Sequence, residues 1–142
     1  MLPRAESAKR KARLGAIADA LPGSAARERH DSLAFLVAGK VFAYYLDDHH
    51  GDGITSVCAK VLAGDNQRLV AASTRKFYLP AYIGPRGWVG LRLDRPSVDW
   101  NEVRELVQGS YRLVAPPRLV RRMRDGETAE GRDRDARERS MP

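Results

Sequence analysis

Residues 88–93 alternate without a break: Val89, Leu91 and Leu93 point one way, Trp88, Gly90 and Arg92 the other. Strict period two marks a strand with one buried face. Farther on, residues 99–115 carry Trp100, Val103, Leu106, Val107, Tyr111 and Val114 at three- and four-residue spacing, the stripe of an amphipathic helix. Asp94-Arg95-Pro96-Ser97 breaks the chain between them, Asp99 or Ser97 caps the helix, and Pro116-Pro117 ends it. A one-faced strand followed by a one-faced helix leaves few solutions: the helical stripe must cover a sheet.

The rest of the chain fits that requirement. Residues 8–21 read as a helix with an apolar stripe through Leu14, Ile17 and Leu21, capped by Ser7 and stopped by Pro22-Gly23. Residues 24–31 read as loop. Residues 33–37 and 40–46 are β-rich and joined by Ala38-Gly39, which predicts a hairpin. Residues 47–53 form a loop and 54–61 a third strand. Residues 62–73 predict a helix turning Leu62, Leu69 and Val70 inward. Residues 75–82 are extended, with Pro80 making them an edge strand. The order α-β-β-β-α-β-β-α is dominated by hairpins and lacks a βαβ rhythm, so an antiparallel α+β domain follows. Helices gathered on one face would leave the opposite face of the sheet open.

With 142 residues, 43% of them hydrophobic, the chain holds one domain and one core. The expected division is a basic N-terminal extension at 1–7, the domain at 8–124, and a disordered charged tail at 125–142. No apolar run reaches the ~20 residues of a membrane span. Cys58 is the sole cysteine, so no internal disulfide can form. The first residues lack the apolar stretch of a secretory signal, and a cytoplasmic protein is expected. The net charge of +7 is uneven. Residues before Asp125 carry 21 basic and 12 acidic groups, a balance of +9 that attracts polyanions.

Several segments are familiar in order and spacing. Gly87-Trp88-Val89, Leu91-Arg92-Leu93-Asp94, Asp99-Trp100 opening a helix, and Ser110-Tyr111-Arg112-Leu113-Val114-Ala115 resemble the MmcQ/YjbR family of small bacterial proteins. Ala20-Leu21-Pro22-Gly23 and Gly39-Lys40-Val41-Phe42-Ala43 agree as well, so the resemblance spans roughly residues 8–123. It implies a YjbR-like α+β fold: one twisted antiparallel sheet of about five strands with helices on one face, related to secretion-chaperone and double-wing folds. The family is usually described as DNA-binding.

Catalytic chemistry finds little to stand on. A nucleophile would need His30, His49 or His50 as its base, and Cys58 sits mid-strand as a small buried thiol. Asp47, Asp48, His49, His50 and Asp52 form a metal-like cluster, but Asp and Gly are the ordinary residues of a turn. The expectation is no enzyme, no metal and no cofactor. Nucleic acid needs cations on one surface with planar groups among them. Arg75, Lys76, Tyr78, Arg86, Trp88 and Arg92 supply that mixture, with Tyr82 among them, and Lys40 would share the face with Phe42 and Tyr44. The competing reading makes Trp88 and Tyr82 core residues with a solvated charged rim. Lys9, Arg10, Lys11 and Arg13, and Arg118, Arg121, Arg122 and Arg124, are further phosphate contacts or plain solvated charge. DNA is therefore the expected partner. The alternatives are a protein-interaction module using Tyr82, Trp88, Phe42 and Tyr44, or a small-molecule sensor with its cleft between the sheet and the last helix.

Overall fold

The computed structural model describes residues 2–30 and 32–126. The chain runs α1 (Arg4–Asp19), β1 (Ser24–Glu28), β2 (Ser32–Val37), β3 (Lys40–Asp47), β4 (Thr55–Lys60), α2 (Asp65–Ala72), β5 (Phe77–Tyr78), β6 (Trp88–Arg92), α3 (Trp100–Val114) and a last helix, α4, over residues 117–126. All six strands join one antiparallel sheet in the order β1-β2-β3-β4-β6-β5. The antiparallel α+β class expected from the sequence is the class observed.

Two elements exceed the sequence reading. β1 occupies residues expected to be loop. Ser-Ala-Ala-Arg-Glu has no apolar pattern, and the strand exists because its backbone pairs with β2 from Ser24 opposite Val37 to Glu28 opposite Leu33. α4 follows Pro116, whose carbonyl accepts from the amides of Leu119 and Val120. It buries Leu119 and Met123, so the basic cluster at 118–124 belongs to a packed helix. Residues 125 and 126 complete that helix. The rest of the tail expected to be disordered, 127–142, lies outside the described residues.

Some boundaries shift for local reasons. α1 starts at Arg4 behind Pro3 rather than at residue 8 behind a Ser7 cap, because Arg4, Ala5 and Glu6 carry the first turn by helix propensity. Residues 4–7 are thus part of the first helix. α2 starts late, at Asp65, because Gly64 sits left-handed at its N-cap (φ +84°). That leaves Leu62 exposed rather than inward, while Leu69 and Val70 pack on the core. Pairing in β5 stops at Tyr78, two residues before Pro80, which has no amide hydrogen to donate. Asp99 is the cap of α3, accepting from the amides of Asn101 (3.0 Å) and Glu102 (3.3 Å).

The core lies between one sheet face and the helices. Val57, Val89, Leu91 and Leu93 meet Val103, Val107 and Tyr111 of α3, with Leu14 of α1 beside them, all essentially inaccessible. These side chains fill the space between the sheet and α3, where the sensor reading placed its cleft. Trp100, expected as core, is half-buried at the edge under the Arg13 guanidinium, 4.7 Å from its ring.

Candidate functional site

The second sheet face is where the structure departs from simple alternation. β2 and β3 pair with Phe35 opposite Ala43 but Leu36 opposite Val41, so Phe42 is an extra, bulged residue. Phe42 and Ala43 both enter the helix-side core, and Phe42 does not share the open face with Tyr44 as alternation alone implies. The bulge brings Val41 and Tyr44, three residues apart, onto the open face beside Leu36 and Ala34.

Only part of that face is bare. Gly90 opposes Tyr78, and the tyrosine ring lies across the space a side chain would fill. Its hydroxyl is 2.6 Å from Ser56 Oγ and 3.7 Å from Cys58 Sγ. Burial pushes the Tyr78 phenol well above its ordinary range, and burial likewise pushes the Cys58 thiol up to about 11. Cys58 is therefore a protonated, inaccessible thiol at neutral pH. Trp88 is half-buried against Tyr44, ring centres 5.5 Å apart.

After β5 the chain doubles back, and Tyr82 brings its ring to within 5.4 Å of the His50 ring. His50 in turn meets the His49 ring at a tilt of 52°, with centroids 3.9 Å apart. The loop between β3 and β4 is closed by its own acids: Asp48 Oδ1 accepts from Gly53 (2.7 Å) and Asp52 Oδ1 from Ile54 (2.9 Å). Among the described residues no cluster of His, Cys, Asp and Glu could hold a metal ion. Between this loop and residues 80–83 lies a cavity of about 330 Å³. Its floor is Ala34, Leu36, Val41, Tyr44 and Leu46, and Arg27 and Arg29 stand on its β1 side. No sequence pattern marked this cavity. It depends on the bulge and on β1, neither of which has an apolar signature.

The seven residues expected to bind nucleic acid are not gathered at one place. Tyr78, Trp88 and Arg92 share the second face through the register of β5 and β6 with β4. Arg92 forks onto Asp94 (2.9 and 3.0 Å). Burial works against the Asp94 carboxylate, but the Arg92 bonds and the Thr55 amide more than offset it and hold its carboxyl below the ordinary range. Lys76 is drawn to Glu102 of α3 at 3.1 Å. Lys40 pairs in register with Val37, a core residue of the helix-covered face. Arg75 is exposed in a turn and Arg86 at the end of a short 3-10 helix, Gly84–Arg86. Sequence reasoning passed over Lys60, which stands directly opposite Trp88 and is exposed.

Part of the terminal cluster on α1 is engaged in structure, while Lys9 is exposed. Arg10 is buried and donates to the carbonyls of Leu93, Arg95 and Pro96, while Lys11 pairs with Glu28 at 2.7 Å.

A single antiparallel sheet, helices against one face and an aromatic, partly hollow second face define a small α+β domain of one architectural class. Residues 19–113, about two thirds of the chain, match the YjbR family, and the protein belongs to that family. It is also similar to the crystal structure of protein DR2400 of Deinococcus radiodurans, described as carrying the DUF419 domain. The two are 24% identical and superpose with a TM-score of 0.58 over 70% of this chain and 74% of that one. That likeness is one of fold. No curated protein matches the chain. Among the described residues, no helix is long and apolar enough to cross a membrane.

Proposed function

We propose that the protein binds DNA through the sheet face the helices leave uncovered, with Trp88 at the centre of the contact. One observation carries the reading. Trp88 has Lys60 directly opposite it and Arg86 two residues before it, both exposed and with no side-chain hydrogen bond or ion pair among the described residues. Four other cations of the sequence reading are engaged: Arg10 on carbonyls, Lys11 on Glu28, Lys76 on Glu102, Arg92 on Asp94. Unpaired cations beside a half-exposed indole suit phosphate and sugar contacts, which position a duplex without reading its sequence. Arg75, exposed in the turn before β5, adds to the positive field.

The test is a binding titration of the full chain with random-sequence duplex at several salt concentrations. Log K should fall linearly with log[salt], with a slope of about −0.9 per phosphate neutralised. Lys60→Glu with Arg86→Glu should abolish retention. Arg92→Gln should change affinity little, since that charge is already neutralised. Affinity indifferent to salt, or unchanged by the double reversal, overturns the proposal.

A further inference from the structure

The cavity over β2 and β3 adjoins the Lys60–Trp88 patch at Tyr44 but has its own lining. Ala34, Leu36 and Leu46 line its floor and are no more than 9% exposed, while Val41 and Tyr44 beside them are half-exposed. An open apolar floor leaves unmade the dispersion contacts that a flat ligand ring would supply. Its volume lies at the small end of the ~300–1,000 Å³ found for ligand sites.

Polar groups at the mouth are asymmetric. Arg27 lies opposite Ala34 in the ladder and so shares the floor's face, and Arg29 follows it. Neither guanidinium has a side-chain partner among the described residues. The one acid in the lining, Asp52, is already accepting the Ile54 amide. The β1 end therefore offers ten unpaired N–H donors and two positive charges.

The opposite wall stores strain. Tyr82 is held left-handed at φ +68°, unfavourable for a bulky residue, and its side chain is 81% exposed. Burial does not repay that conformation. It does hold a ring at the cavity rim, with the Tyr82 and Tyr44 rings both in the lining.

We propose that this cavity is a binding site for a small planar aromatic carboxylic acid. The ring lies on the flat floor between Leu36 and Tyr44, and the carboxylate meets Arg27 and Arg29, where a forked guanidinium matches its two oxygens. No part of this rests on DNA binding.

The experiment titrates the full chain with 2-naphthoate and, in parallel, with the uncharged 2-naphthylmethanol, followed by methyl chemical shifts. Naphthoate should bind saturably and move the Leu36, Val41 and Leu46 methyls while leaving Val103 and Val107 unmoved. The alcohol, and Arg27→Gln with Arg29→Gln, should each bind about tenfold more weakly or worse, the value of a charge-assisted hydrogen bond. Val41→Trp, which fills the cavity, should abolish binding. Because that variant risks unfolding, the methyl map of the unaltered chain stands as an independent criterion. Absence of saturable naphthoate binding, equal affinity for acid and alcohol, or shifts located away from the β2–β3 methyls each overturn the proposal.

Discussion

Tyr78 occupies the space that a side chain on Gly90 would need. A Cβ at Gly90 would stand 2.2 Å from Tyr78 Cε1 and 2.5 Å from its Cζ, closer than van der Waals contact allows. The glycine is here because the tyrosine ring crosses β6 to place its hydroxyl on Ser56. Gly90→Ala should evict the ring, break that bond and cost about 1–3 kcal/mol in urea unfolding, as overpacked sites do. The companion Tyr78→Phe keeps the ring and should cost only about 1 kcal/mol. Equal losses in both variants would refute steric eviction.

Arg10 ties the start of the chain to the segment between β6 and α3. Its guanidinium gives hydrogen bonds to the Leu93 carbonyl (2.7 Å), the Arg95 carbonyl and, at 3.3 Å, the Pro96 carbonyl, while Nε reaches Glu6 at 3.0 Å. Loop 93–96 has no ladder of its own to satisfy these oxygens, so a single side chain replaces it. Arg10→Ala should destabilise the fold by about 2–4 kcal/mol, since it orphans several carbonyls at once. Arg10→Lys should recover part of this, as a lysine cannot fork across three acceptors. A neutral alanine variant in thermal or urea unfolding contradicts the assignment.

How much of this was written in the sequence depends on how local each signal is. β6 and α3 were legible because Val89, Leu91 and Leu93 and the Val103–Val107–Tyr111 stripe each carry their own periodicity. β1 was not, because a polar edge strand is created by its neighbour's backbone and leaves no pattern in Ser24–Glu28. The bulge at Phe42 was equally silent. Its cause lies partly in Ser110 of α3, whose hydroxyl donates to the Phe42 carbonyl (2.6 Å) and accepts from the Lys60 amide (3.0 Å). Such a long-range contact cannot be read from residues 40–47. The candidate site suffered accordingly: Trp88 was placed on the right face by alternation, but Lys40 and Phe42 were placed with it across an unseen bulge. Ion pairing to Asp94 and Glu102 likewise depends on tertiary proximity that net charge does not reveal.

Stability should fall on the alkaline side. Burial raises the Cys58 thiol from its ordinary 9.0 to about 11, and burial, then Asp47, raises Tyr45 to about 12. Where the folded pKa exceeds the unfolded one, the native state holds its proton longer. Stability is then whole below about pH 9 and drains as pH rises through about 11, at up to about 1.4 kcal/mol per pH unit for the thiol. Cys58→Ala should flatten the slope between those pH values whatever its effect on the baseline. In step with this, Cys58 should resist a thiol reagent at pH 8 until the chain unfolds. Rapid labelling of the native protein would contradict the burial argument.

Tyr82 offers the sharpest contrast between stability and binding. Its left-handed backbone costs about 1–2 kcal/mol for a bulky residue. The ring meets His50 edge-on at 5.4 Å in an exposed contact worth at most about as much. Asparagine adopts the left-handed region readily, so Tyr82→Asn should leave stability unchanged or raise it by up to about 1 kcal/mol. The same variant should weaken 2-naphthoate binding, because it removes one aromatic wall of the cavity. A residue retained for folding behaves the opposite way: its loss destabilises the native state and leaves ligand affinity alone. Urea unfolding and naphthoate titration on one preparation of Tyr82→Asn decide between the two.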